Sequence, residues 1–181
     1  MAVSPIHTKR LELIAFDPRI VQHLLHGEKQ EAEKLLGVRL PDGFPSEDEL
    51  VGFLDIQLKR IEAMPHRRAW MGRFMTGRES GEAIGHCGFH GPPEVIGRAE
   101  IGYTVFAQHR GQGYAKEAAA ALVKWAFQHG EKRVYASVSP TNAPSLAVVK
   151  SLGFKQVGTQ DDEVDGLELV FAIEPIEAPQ P

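Results

Sequence analysis

A single cysteine, Cys87, stands among the 181 residues, so the chain can close no intrachain disulfide and reads as a protein of a reducing compartment. Long apolar runs are missing too: the longest, from Ala118 to Val123, is far short of the ~20 residues a bilayer span needs. Met1 to His7 holds no apolar stretch of the signal-peptide kind, and a cytoplasmic location away from the membrane is the expectation. There is no basic excess. The 20 Lys and Arg stand against 24 Asp and Glu, a net charge of −4, which gives no footprint for nucleic acid. Two phosphate-binding signatures are also absent, the dinucleotide pattern G-x-G-x-x-G and the NTPase pattern G-x-x-x-x-G-K-[ST]. With no internal repeat and no low-complexity block, the length suits one domain over 1–181, its ordered core at about 9–173 and a frayed tail at 174–181.

What is present is a strand-rich first half and an alternating second half. Lys9 to Phe16 alternates apolar and polar residues and predicts a strand. Pro18 to His26 and Glu28 to Leu36 predict two short helices parted at Gly27. Leu40 to Pro45 is a loop, and Ser46-Glu47-Asp48-Glu49 reads as a capping box that starts a helix running to about Met64. Ala69 to Thr76 and Glu82 to His90 flank a polar glycine-bounded turn and predict a hairpin. Gly97 to Phe106 extends it into a meander. Ala115, Ala118, Ala119, Leu122, Val123 and Ala126 fall on one helical stripe. Arg133 to Val138 follows as a strand, Asn142 to Leu152 as a helix stopped by Gly153, and Phe154 to Val157 and Leu167 to Ile173 as closing strands.

The chemistry concentrates at Gln108-His109-Arg110-Gly111-Gln112-Gly113-Tyr114-Ala115, between an apolar strand and the Ala-rich helix. Two glycines at such a turn let backbone N–H groups approach a ligand with no Cβ in the way. The helix that follows aims its unpaired N–H groups and its positive dipole end at the same point, which makes an anion site.

This turn resembles the acetyl-CoA loop of the GNAT acetyltransferase superfamily, Gln/Arg-x-x-Gly-x-Gly/Ala, filled here by Gln108, Gly111 and Gly113. Three further segments extend the resemblance over roughly Lys9 to Ile173: Glu100-Ile101-Gly102-Tyr103, Asn142-x-x-Ser145 and Leu152-Gly153-Phe154. Together the four are similar to the branch that contains ribosomal-protein N-terminal acetyltransferases. The resemblance implies a mixed α/β fold with a mostly antiparallel sheet, split by a V-shaped opening and flanked by helices.

It also implies acetyl-CoA as cosubstrate, no metal, and an amine acceptor, either a protein N-terminus or a small cationic amine, attacked directly by a monomer or homodimer. A non-catalytic CoA-binding sensor is the alternative. N–H groups of Arg110, Gly111, Gln112, Gly113, Tyr114 and Ala115 would bind the CoA diphosphate. Tyr103, Thr104 and Val105 would splay from their neighbour strand toward the pantetheine arm, with the Val105 N–H toward the thioester oxygen. Asn142 would bond the pantetheine amide, and Ser145 would lie near the sulfur or the phosphates. Asn and Ser there are also good helix caps in their own right. Many members carry a Tyr acid where this chain has Val149, which leaves protonation of the departing thiolate to Ser145 or to water.

Glu100 is the candidate general base, since a protonated amine cannot attack a thioester; pairing with Arg98 is the other reading of the same carboxylate. His86 and His90 share a strand face but stand about 13 Å apart at ~3.3 Å per residue, too far to share a zinc ion with bonds of ~2.1 Å. They are candidates for lining an acceptor cleft. Glu47, Asp48, Glu49 and Asp55 could draw a cationic acceptor, or simply serve a helix N-terminus.

Overall fold

A computed structural model describes residues 3–46, 49–162 and 166–175 of the chain. Its strands form one eight-stranded sheet in the order β1-β2-β3-β4-β5-β6-β8-β7. β1 (Ile6–His7) and β2 (Leu11–Ala15) form a hairpin at one edge. The meander continues antiparallel through β3 (Gly72–Gly77), β4 (Ala83–Phe89) and β5 (Ala99–Val105). β6 (Val134–Val138) then joins β5 in parallel, and β8 (Gly166–Ile173) and β7 (Lys155–Asp162) complete the sheet antiparallel. This is the mixed, mostly antiparallel architecture expected, and the one parallel pairing of strands among the described residues is where it opens.

Period-two burial in β2 shows why the sheet has two packed faces. Leu11, Leu13 and Ala15 are buried while Glu12 and Ile14 are partly exposed. On one face α5 (Tyr114–Gln128) lays Ala118, Ala119, Leu122, Val123 and Ala126 against Leu13, Met75, Phe89 and Ile101. The alanines keep that helix close to the sheet. On the other face α1 (Pro18–Leu25), α2 (Lys29–Leu36) and α3 (Asp55–Ala63) cover Phe16, Phe74 and Phe106. Asp17 caps α1 by accepting from the Arg19 N–H at 2.9 Å, with Pro18 in the first turn.

Several boundaries differ from the sequence reading. The helix expected from Ser46 begins as a π-helical turn at Glu49–Leu54 before α3, and Glu47 and Asp48 of the capping box lie outside the described residues. Residues 65–70 form a 3-10 helix, Pro65–Trp70, with Arg67 paired to Glu94 at 2.6 Å. A four-residue helix, α4 (Pro93–Ile96), fills the stretch between the strands expected at 82–90 and 97–106. β7 runs to Asp162, although only 154–157 looked like strand, because it is an exposed strand with little apolar alternation to betray it. Residues 163–165 and the tail from 176 lie outside the described residues. No helix among the described residues is long and apolar enough to cross a membrane.

Cys87 sits in the core opposite Arg73 on β3. Burial pushes its thiol up from 9.0 to about 12, and burial brings the Arg73 guanidinium down to about 10. Between pH 9 and 10 the unfolded chain therefore loses the thiol proton while the folded chain keeps it. Stability falls as pH rises through that window. Replacing Cys87 with Ala is expected to flatten the decline, read as the urea midpoint at pH 8.5 and 10; an unchanged slope would remove this assignment.

Candidate active site

β5 and β6 run together only at their starts, where Ala99 faces Val134 and Glu100 faces Tyr135. Beyond that they diverge, and the gap becomes a cleft of about 650 Å³. Tyr103, Thr104 and Val105 form one wall, His109, Arg110, Gly111 and Gly113 to Lys116 the head, and Asn142, Pro144, Ser145 and Val148 the far wall. α6 (Ala143–Ser151) supplies that far wall.

Strand alternation decides which groups face the gap. The His90 N–H donates to the Glu100 carbonyl at 2.9 Å and the Phe106 N–H to the Ile84 carbonyl at 3.0 Å, so bonding to β4 falls on the even residues of β5. The peptide groups of Tyr103 and Val105 therefore turn toward the opening. Arg110 Nε donates to the Val105 carbonyl at 3.0 Å, which ties the wall to the turn.

The head of the cleft is the start of α5. Gly111 and Gly113 hold φ of 76° and 80°, the left-handed region that favours glycine. The first bond of the helix is from the Glu117 N–H to the Gly113 carbonyl at 3.1 Å. The N–H groups of Tyr114, Ala115 and Lys116 precede it and have no acceptor within the helix. No side-chain bond caps this end. Uncapped donors, the helix dipole and the basic side chains of Arg110 and Lys116 make the head a place for a phosphorylated ligand.

Of the residues singled out from sequence, Tyr103, Thr104, Val105, Arg110, Gly111, Gly113, Tyr114, Ala115, Asn142 and Ser145 meet around this one cleft. Gln112 is not in its lining; its side of the turn faces away, and its carbonyl accepts from Arg10 Nη1 at 2.9 Å. Asn142 caps α6 by accepting the Ser145 N–H on Oδ1 at 3.1 Å, the capping role the residue types allowed. Val149 is buried in the core. The Tyr103 hydroxyl stands 3.5 Å from the Ser145 carbonyl, and burial pushes its pKa up.

Glu100 does not line the cleft. Arg98 Nε donates to Oε2 at 2.8 Å and Ser137 Oγ donates to Oε1. Only 7% of its side chain is exposed, so pairing with Arg98 is the arrangement found. A base must reach the proton it takes, and this carboxylate is enclosed by its partners. His86 is buried and stacked on Phe53 at 4.4 Å between ring centres.

Sequence reasoning missed Arg10. Its Nε donates to Glu117 Oε2 at 2.7 Å, its own N–H to Glu117 Oε1 at 2.8 Å, and Thr8 Oγ1 to the same oxygen at 2.6 Å. The guanidinium also stacks 4.4 Å over the Tyr114 ring. One side chain from the β1–β2 hairpin thereby fixes the turn and the first helical turn at once. The residues are more than 100 positions apart, so no local signal could announce it. Arg10→Ala is expected to raise the KM for acetyl-CoA roughly tenfold, the charge-assisted bonds being discounted for solvent screening. kcat should hold within about threefold. Arg10→Lys should not rescue, because an ammonium cannot reproduce the fork. Steady-state kinetics check it.

Residues 10–155 match the family model described as an acetyltransferase (GNAT) domain. The chain belongs to the GNAT acetyltransferase family. It is an acyl-CoA-dependent acetyltransferase. The uncharacterized N-acetyltransferase YjdG of Bacillus subtilis is 28% identical over 152 residues, covering 82% of this chain and 88% of that protein. The uncharacterized N-acetyltransferase p20 of Bacillus licheniformis is 40% identical over 86 residues, which is 47% of this chain and 48% of p20, so that match spans about half of each. Among solved structures, the ribosomal-protein-S5-alanine acetyltransferase of Vibrio fischeri aligns with a TM-score of 0.67 at 14% identity, covering 95% of this chain and 97% of that one. RimJ of Mycobacterium smegmatis in complex with CoA-disulfide aligns with 0.64 at 21%, covering 98% and 93%. At these identities the structural matches speak for the fold of this acetyltransferase and not for its acceptor.

Proposed function

We propose that this acetyltransferase moves the acetyl group of acetyl-CoA to a primary amine by direct attack, with no covalent enzyme intermediate. The observation that carries the reading is the opening between β5 and β6, walled by inward-turned peptide groups and headed by an uncapped helix N-terminus. The N–H groups at 111 and 113–115 would hold the diphosphate, with Arg110 beside them. Tyr103 and Thr104 would line the pantetheine path together with Asn142. The Val105 N–H would donate to the carbonyl oxygen as the tetrahedral intermediate forms. Ser145 stands at the far wall as a proton donor for the departing thiolate. The absence of a side chain able to act at Val149 supports that placement.

An acceptor of the protein N-terminus kind follows from the resemblance of the four sequence motifs to the ribosomal-protein branch, and a cytoplasmic site of action would suit it. Free-thiol release from acetyl-CoA tests the function, with short peptides bearing free α-amines and with spermidine as probes. Turnover with a peptide but not spermidine supports the N-terminus reading. Saturable CoA binding with no thiol release across the panel would favour a CoA-binding sensor instead.

A further inference from the structure

Glu100 leaves the acceptor amine without a base, and the same carboxylate points to one. His90 follows β4, and its backbone N–H is bonded to the Glu100 carbonyl at 2.9 Å. Its Nδ1 lies 4.0 Å from Glu100 Oε1. The rest of the ring lies over Gly102: a Cβ added there would come within 2.9 Å of His90 Nε2. Glycine at 102 thus leaves the room this imidazole occupies, on the strand position next to Tyr103, the first residue of the cleft wall. The two side chains are exposed very differently, 52% for His90 against 7% for Glu100. One is accessible to an incoming amine; the other is held from behind by Arg98 and Ser137.

We infer that His90 is the general base of the acetyl transfer, and that Glu100 is the positioning residue that orients its ring. The inference rests on the function proposed above. Imidazole is the side chain whose proton affinity lies nearest neutrality, which suits it to take a proton from an ammonium and hand it to solvent. His90 Nε2, directly or through one water, accepts one proton from R–NH3⁺. The freed amine attacks the thioester carbon, forming the C–N bond and placing the negative charge on oxygen. Collapse breaks the C–S bond; the Ser145 hydroxyl gives its proton to the leaving thiolate and takes the nitrogen's surplus proton in exchange. The products are the acetamide, CoA thiol and an imidazolium that returns its proton to water. Charges facing the ring come from Glu100 on β5, from Arg98 beside that carboxylate, and from Arg60 on α3, whose Nη1 donates to the His90 carbonyl at 2.7 Å.

Three variants test it with the best amine of the panel, alongside calorimetry with CoA. His90→Gln is expected to lower kcat by about 10²- to 10⁴-fold, the range for a positioned base. CoA affinity should hold, the acidic limb of the kcat/KM–pH profile should disappear, and added imidazole should restore part of the rate to His90→Ala. Gly102→Ala, which pushes the ring off β5, should lower kcat without raising the KM for acetyl-CoA. Glu100→Gln should lower kcat by less than His90→Gln does, without raising the KM for acetyl-CoA. His90→Gln turning over within threefold of wild type across pH would overturn the base, as would a loss of turnover that merely tracks lost CoA affinity. Wild-type protein that binds CoA yet releases no thiol with any amine would overturn the transfer reading itself, a separate result.

Discussion

Val105→Pro is expected to cut kcat by about 10²- to 10³-fold, the usual cost of losing one oxyanion donor. CoA binding should be nearly unchanged. Proline removes one N–H and little else. The bonds from β5 to β4 fall on the even residues, so residue 105 contributes no donor to that ladder, and proline is tolerated where its nitrogen faces away from a partner strand. Thr104 before it is already extended, as a residue preceding proline prefers. The Val105 carbonyl keeps its bond from Arg110. Thiol-release kinetics together with CoA calorimetry read the two effects apart. A kcat within tenfold of wild type, with CoA bound normally, would mean that the transition-state oxygen is stabilised elsewhere.

Gly85→Ala should damage both fold and activity. A Cβ at Gly85 would overlap the Thr104 carbonyl oxygen, with the Val105 Cα at 3.0 Å and Met75 Cε at 3.1 Å. The first two are backbone atoms of β5 and cannot rotate aside, so β4 and β5 must part at the end of the cleft wall. Overpacking of this kind costs about 1–3 kcal/mol, and the displaced segment is the one that lines the cleft. A lowered urea midpoint and a fall in kcat are expected together. Gly158→Ala is the control: nothing lies within 4 Å of its added Cβ, and it should be close to neutral in both assays. Equal behaviour of the two variants would show that the close approach of β4 to β5 is not what shapes the wall.

The turn at 111–113 was legible because it is local. Two glycines, a preceding strand and an Ala stripe lie within about thirty residues, and their periodicities switch from two to 3.6 inside that window. The same holds for Asn142 as a helix cap, where residue type and position suffice. β7 was only half legible: Lys155–Asp162 is exposed along most of its length, so the pairing to β8 leaves little apolar pattern. Glu100 stands out in the sequence, but its surroundings do not. One carboxylate on a strand says nothing about which partners will enclose it, and Ser137 and Gln160 reach that network from distant strands.

The sequence by itself determined where a glycine-bounded helix start would form and which small residues would bend the chain there, since those are properties of neighbouring φ values and of side chains three or four positions apart. Tertiary structure alone decided that β5 leaves β6 after two paired residues, that Arg10 braces the turn from across the sheet, and that the imidazole of His90 and not the carboxylate of Glu100 is the accessible group. Each of those depends on residues brought together by strand register and by the competition of buried polar groups for partners, and neither is encoded in any short stretch of chain.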